Sequence, residues 1–147
     1  MALFNILANT WDFEGLAVLD LFAGTGSVGF EFASRGAARV DMVEEDQASA
    51  VFLKKTAALL KATNIQVFTR EALAYVEHCS SRYDIVFADP PYLLETIAGI
   101  PYTVLGSGIL EEEGWFILEH GKTQSFRSHP GFSGSRNYGS VHFSFFS

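Results

Sequence analysis

Asp89-Pro90-Pro91-Tyr92 follows the apolar run 85–88 (IVFA) and brings an acceptor, two stiff residues and a ring together. Proline cannot donate to a strand ladder, so a strand ending at Ala88 is expected. An acid and an aromatic fixed at that stop could also hold a flat substrate. The chemistry that suits them is activation of an exocyclic amine on a nucleobase, whose lone pair is delocalised into the ring. Acceptors around the amine hydrogens favour a more tetrahedral nitrogen with a freer lone pair. The Asp89 carboxylate and the Pro90 carbonyl are two such acceptors, and Tyr92 offers a face for stacking a base turned out of its helix. Taken alone, these four residues fit a strand-ending turn equally well.

A glycine loop supplies the second half of a candidate site. Gly24, Gly26 and Gly29 spell G-x-G-x-x-G, and Glu44 lies 20 residues beyond Gly24. By its letters this is a dinucleotide fingerprint: glycines let the backbone approach a ligand, and the later acid takes ribose hydroxyls. Asp20, four residues ahead of Gly24, argues for a different ligand. A carboxylate there repels a pyrophosphate and suits an ammonium group. S-adenosylmethionine carries an ammonium group and a ribose but no phosphate, so the loop fits it better than NAD. Phe22 lies between Asp20 and Gly24 and belongs to the same candidate cofactor set. Glu71 and Ala72, after the third apolar run, stand where a polar side chain and a backbone group meet adenine. Glu71 fits equally well as an acid placed at a helix N-terminus by the dipole.

The elements that must hold these residues alternate along the chain. Strands are expected at 17–22, 38–44, 65–69, 84–88 and 114–120, and helices at 27–34, 46–63, 71–78 and 93–105, the last broken near Gly99 and Pro101. Asp46 is placed to cap the long helix, whose Ala48, Val51, Phe52 and Leu59 are expected to form its apolar face. A hairpin turning near Gly139 closes the chain. This order predicts one α/β domain over 1–147 with a mainly parallel sheet. Ligands of such sheets bind beyond the C-terminal strand ends, where Asp20, Gly24, Glu44 and Asp89 all fall.

Composition narrows the classes. The 147 residues are 48% hydrophobic and 14% aromatic, which suits a packed core and excludes a disordered chain. No run reaches the length of a membrane span and no signal peptide opens the sequence. Cys79 has no partner for an internal disulfide, so a reducing, cytoplasmic setting is expected. The net charge of −7 argues against an unassisted nucleic-acid binder. The charge is uneven, however: the first 119 residues carry −10, whereas 120–147 hold Lys122, Arg127 and Arg136 and no acid. His78 and Cys79 lack metal-ligand spacing, so no metal is expected. Glu111, Glu112 and Glu113 read as a solvated turn; Glu119 and His120 close the fifth strand near the site, where they could touch substrate, although a solvated strand end fits them better.

In this order, "LDLFAGTGSVG", "VEED" and "DIVFADPPY" resemble Rossmann-type S-adenosylmethionine-dependent methyltransferases that modify exocyclic base amines. With "ALFNIL", "SRGA", "ILEH" and "YGSVHFSFF", essentially the whole chain resembles the bacterial 16S ribosomal RNA guanine-N2 methyltransferase family of the RsmD type. The resemblance implies a seven-stranded, mainly parallel sheet with helices on both faces and a C-terminal antiparallel hairpin. It implies that Asp20, Gly24 and Gly26 line the methionine part of the cofactor and that Glu44 holds the ribose. Asp89, Pro90 and Tyr92 would hold the target guanine in ribosomal RNA or a small-subunit particle. The family more often has Asp or Asn where Glu71 stands. It also carries a basic, glycine- and arginine-rich segment ahead of "ALFNIL", where this chain has Met1, so a shortened chain is expected. Alternatives are methylation of another base amine, such as adenine N6, or a cofactor-binding module without catalysis. An NAD-dependent oxidoreductase ranks last because of Asp20.

Overall fold

The computed structural model describes residues 2–91, 96–122 and 124–147. Its elements run α1 (Ala2–Leu7), β1 (Ala17–Leu21), α2 (Ser27–Ser34), β2 (Arg39–Val43), α3 (Gln47–Leu59), β3 (Ile65–Phe68), α4 (Ala72–His78) and β4 (Tyr83–Ala88). A 3-10 turn (Ile97–Gly99), α5 (Ile100–Gly106), β5 (Leu110–His120), β6 (Phe132–Tyr138) and β7 (Val141–Phe146) follow. The seven strands form one sheet in the order β3-β2-β1-β4-β5-β7-β6. The first five are parallel, while β7 pairs antiparallel with both β5 and β6.

The parallel strands are apolar on both faces because helices cover both. Val18, Val40, Met42, Ile85, Phe87 and Ile117 pack with α1 and α2 through Leu3, Phe4, Leu7 and Phe32. The alternate residues Leu19, Leu21, Val86, Ala88, Phe116 and Leu118 pack on the other side with Ala72 and Val76 of α4 and Ile100 and Val104 of α5. That alternation is the two-residue period of a strand buried on both faces, and it explains the continuous apolar runs in the sequence.

Strand order reverses between β1 and β4. The chain steps outward from β1 through β2 to β3, then returns to place β4 on the other side of β1. Leu21, the last residue of β1, is opposite Ala88, the last of β4, and Ala88 is in turn opposite Leu118 of β5. The loops leaving β1 and β4 must therefore diverge from adjacent strand ends and leave a crevice between them.

Two expectations need correction, and a third, the helix broken near Gly99 and Pro101, is met where the structure describes it. The apolar face of α3 is not Ala48, Val51, Phe52 and Leu59: the helix buries Ala50 and Leu53, leaving Phe52 53% and Leu59 83% exposed. Apolar residues surround this helix, so spacing alone could not select the inward stripe. Glu111, Glu112 and Glu113 are not a turn. They are exposed residues on the first part of β5, which begins four residues earlier than expected. The segment expected to be helical at 93–105 is described only from Thr96, where a 3-10 turn leads into α5 with Pro101 in its first turn, a position that needs no amide donor.

Candidate functional site

A cavity of about 600 Å³ opens at the crevice between the β1 and β4 ends. Its walls include Phe22 and Gly24 from the first loop, Glu44 and Glu45 after β2, Ala72 at the start of α4, and Asp89, Pro90 and Glu119 from β4 and β5. Its size falls within the usual range for small-molecule sites.

The first loop is built from left-handed backbone. Phe22, Gly24 and Gly26 have φ of 56°, 57° and 79°. At Gly24 a Cβ would meet nothing closer than the Phe22 carbonyl at 4.0 Å, so glycine serves the backbone angle and keeps the cavity wall bare. At Gly26 a Cβ would come within 2.6 Å of Leu53 and Phe30. The two glycines, equivalent in the sequence motif, thus have different tasks: Gly24 faces the cavity, and Gly26 lets the loop pack on α2 and α3. Phe22 adopts its angle without glycine's freedom, a strain of order 1–3 kcal/mol held by the surrounding structure.

Glu44 is fixed by backbone amides on both carboxylate oxygens. Gly24 N–H donates to Oε1 at 2.9 Å and Asp46 N–H to Oε2 at 2.8 Å. A carboxylate has about four acceptor sites, so two amides leave capacity for a pair of vicinal hydroxyls. The side chain is half-buried on the cavity wall.

Asp20 sits deeper. It is 2% exposed and accepts from Gly29 N–H at 3.1 Å, under the first turn of α2. Burial raises its pKa well above the ordinary carboxylate value, the Gly29 amide opposes this, and the negative fields of Asp89 and Glu44 raise it further. These acids repel one another across the cavity, so a ligand with a cationic centre would be held by all of them.

Glu71 turns its carboxylate away from this task. It is exposed and caps α4, accepting from Leu73 N–H at 2.6 Å and Ala74 N–H at 3.2 Å. Ala72, its neighbour, lines the cavity. Of the two sequence readings of Glu71, the helix-terminal acid is the arrangement seen.

On the acceptor side, the Asp89 amide reaches back to the Leu21 carbonyl at 3.4 Å, tying the β4 loop to the end of β1. Asp89 is exposed as a residue at the cavity rim, but its carboxyl is lodged among protein atoms. That burial raises its pKa, and a hydrogen bond with the Glu119 carboxyl pulls in the opposite direction. Pro90 is buried and lines the cavity with Pro91. Tyr92 lies outside the described residues.

Glu45 is a polar cavity residue given no role in the sequence reading, and Glu119 is one for which the sequence favoured the other of two readings. Glu119 was expected to be a solvated strand end. Instead it is half-buried on the cavity wall because β7 covers the far side of β5, pairing Phe143 opposite Glu119. His120 is likewise buried at 3% exposure and bonds Ser144 Oγ at 2.7 Å. A pair of consecutive polar residues closing an apolar strand was the available signal, but it does not reveal which strand covers it. Among the described residues no group of His, Cys, Asp and Glu is arranged to hold a metal, and no helix is long and apolar enough to cross a membrane.

The chain belongs to the family described as Conserved hypothetical protein 95, whose sequence model matches residues 1–147. It is 38% identical over 105 residues to the Escherichia coli (strain K12) protein named Ribosomal RNA small subunit methyltransferase D, covering 69% of this chain and 48% of that one. The chain therefore spans about half the length of the curated relatives it matches. Among solved structures it is similar to yhhF from Escherichia coli, with a TM-score of 0.88 and 28% identity over 99% of this chain and 82% of that one. A conserved hypothetical protein from Streptococcus pyogenes gives a TM-score of 0.87 at 27% identity, covering 99% of this chain and 92% of that one.

Proposed function

We propose that this chain transfers a methyl group from S-adenosylmethionine to the exocyclic N2 of a guanine in 16S ribosomal RNA. The observation that carries the reading is the single cavity joining Gly24 and Glu44 on one side to Asp89 and Pro90 on the other. Similarity to a small-subunit ribosomal RNA methyltransferase supports the substrate class.

When bound, S-adenosylmethionine supplies a methyl group on a positively charged sulfur. Glu44 accepts the ribose hydroxyls while keeping its bonds to the Gly24 and Asp46 amides. Asp20 lends negative field from below the glycine loop, favouring the cationic ligand, and Gly26 helps shape that loop. The Ala72 backbone lies against the adenine, with Glu71 holding the helix start in place. Across the cavity, the Asp89 carboxylate and Pro90 carbonyl accept the two amine hydrogens and direct the nitrogen lone pair at the methyl carbon. Tyr92 stacks on the base. Displacement at a methyl carbon depends chiefly on alignment and on keeping water out, which adjacent strand ends provide. Asp89 then takes the proton shed by the methylated nitrogen. The exposed Lys122 and Arg127, in the connection between β5 and β6, and Arg136, on β6, would contribute to phosphate binding.

Nucleoside mass spectrometry of small-subunit ribosomal RNA and of assembled particles, each incubated with protein and S-adenosylmethionine, tests the reading. N2-methylguanosine is expected. N6-methyladenosine in its place would overturn the guanine assignment. Calorimetry with S-adenosylhomocysteine checks the cofactor, and absence of binding by folded protein would sink it.

A further inference from the structure

We propose that Glu119 determines specificity for guanine, accepting the ring N1–H while Asp89 and the Pro90 carbonyl accept the N2 hydrogens. This rests on the guanine reading above and adds a residue and an atom to it. The placement follows from register. Ala88 and Leu118 are opposite one another in β4 and β5, so Asp89 and Glu119 are the next residues outward on adjacent parallel strands. Both line the cavity. Glu119 is also set from its other side, because its backbone pairs with β7 opposite Phe143. Two carboxyl-bearing residues are thereby presented side by side on one cavity wall, close enough for each to act on the other's proton affinity.

Two neighbouring carboxyl groups on one wall offer acceptors for a ligand with two adjacent N–H donors. Guanine has such an edge, since its N2 amine adjoins N1–H. Adenine's N6 amine adjoins an N1 lone pair, which would face the Glu119 carboxylate with no hydrogen between them. A site built to accept a hydrogen bond discriminates strongly against an analogue lacking the donor. Asp89 alone would accept an amine hydrogen from either base. Glu119 supplies the difference.

The test uses the full chain and two RNAs. The guanine that wild-type protein methylates is located by mass spectrometry, and a matched RNA is made with 2-aminopurine there. That base keeps the 2-amino group but has a lone pair at N1. Wild-type protein should favour guanine by at least about 100-fold in kcat/KM. Glu119→Gln presents an amide donor to the 2-aminopurine lone pair and should shrink that preference at least about tenfold. Glu119→Ala should also shrink it, by losing activity on guanine alone. A structural role would lower both substrates equally, leaving their ratio unchanged. An unchanged ratio in folded Glu119→Gln, with wild-type active on guanine, overturns this inference and leaves the guanine reading standing. No methylation of either RNA by wild-type protein overturns both.

Discussion

The two halves of the cavity hold their acids in opposite ways. On the β1–β3 side two carboxylates in or beneath the cavity wall are gripped by backbone amides: Glu44 by Gly24 and Asp46, and Asp20 by Gly29. On the β4–β5 side a carboxyl lies beside a carboxyl, Asp89 next to Glu119 on adjacent strands. Backbone amides belong to the fold and remain when a ligand arrives. Neighbouring acids have acceptor capacity left over for donors on a ligand. The first half is therefore a mould preset by the backbone, and the second a pair of acids set by strand register.

Substitutions can break this contrast. The largest effect is expected from Asp89→Ala, which should lower kcat about 10²–10⁴-fold in a methyl-transfer assay. S-adenosylhomocysteine affinity, measured by calorimetry, should change little. Equal loss of both would show that the two halves are not separable. Glu44→Ala should do the reverse and weaken cofactor affinity about 10–100-fold, since a charge-assisted hydrogen-bonding group is removed. An unaltered affinity would remove Glu44 from the ribose.

Asp20→Asn sharpens the contrast through pH. Because the folded-state pKa of Asp20 is raised, the folded chain holds its proton more tightly than the unfolded chain. Its contribution to stability is full below the ordinary carboxylate pKa and is lost as pH rises through the raised value. The unliganded asparagine variant should then melt at a higher temperature than wild type at neutral pH. The gap should close in acid, and cofactor should bind the variant more weakly. A variant that melts lower at neutral pH would contradict the burial penalty. The smallest effect is expected at Leu59→Asp, within about 0.5 kcal/mol in urea unfolding, because that side chain is 83% exposed.

Much of the mould was legible in the sequence. Ser27–Ser34 matches the expected helix, and Asp46 caps α3 through the Ser49 amide as expected. Glycine, aspartate and proline act on their nearest neighbours, so a linear reading captures them. The carboxyl pair was not legible. Asp89 and Glu119 are 30 residues apart in the chain, and their meeting depends on β4 and β5 being adjacent with Ala88 opposite Leu118. Local pattern carries neither strand order nor register. The same limit concealed the inward face of α3, where Leu53 is selected by the approach of Gly26 and not by hydrophobic spacing. It also made Gly24 and Gly26 look alike, although only one faces the cavity.

The strand order also dictates when the site is finished. β7 follows β6 in the chain yet lies between β5 and β6 in the sheet. Until β7 is synthesised, β5 is an open edge on the Glu119 side and β6 has no strand to pair with. Domains generally fold as units, and in this strand order the Glu119 wall cannot be completed before β7 emerges. The acceptor wall becomes rigid only when Phe143 settles opposite Glu119. The residues of the Gly24–Glu44 wall are thus all synthesised before the strand that closes the wall bearing Glu119.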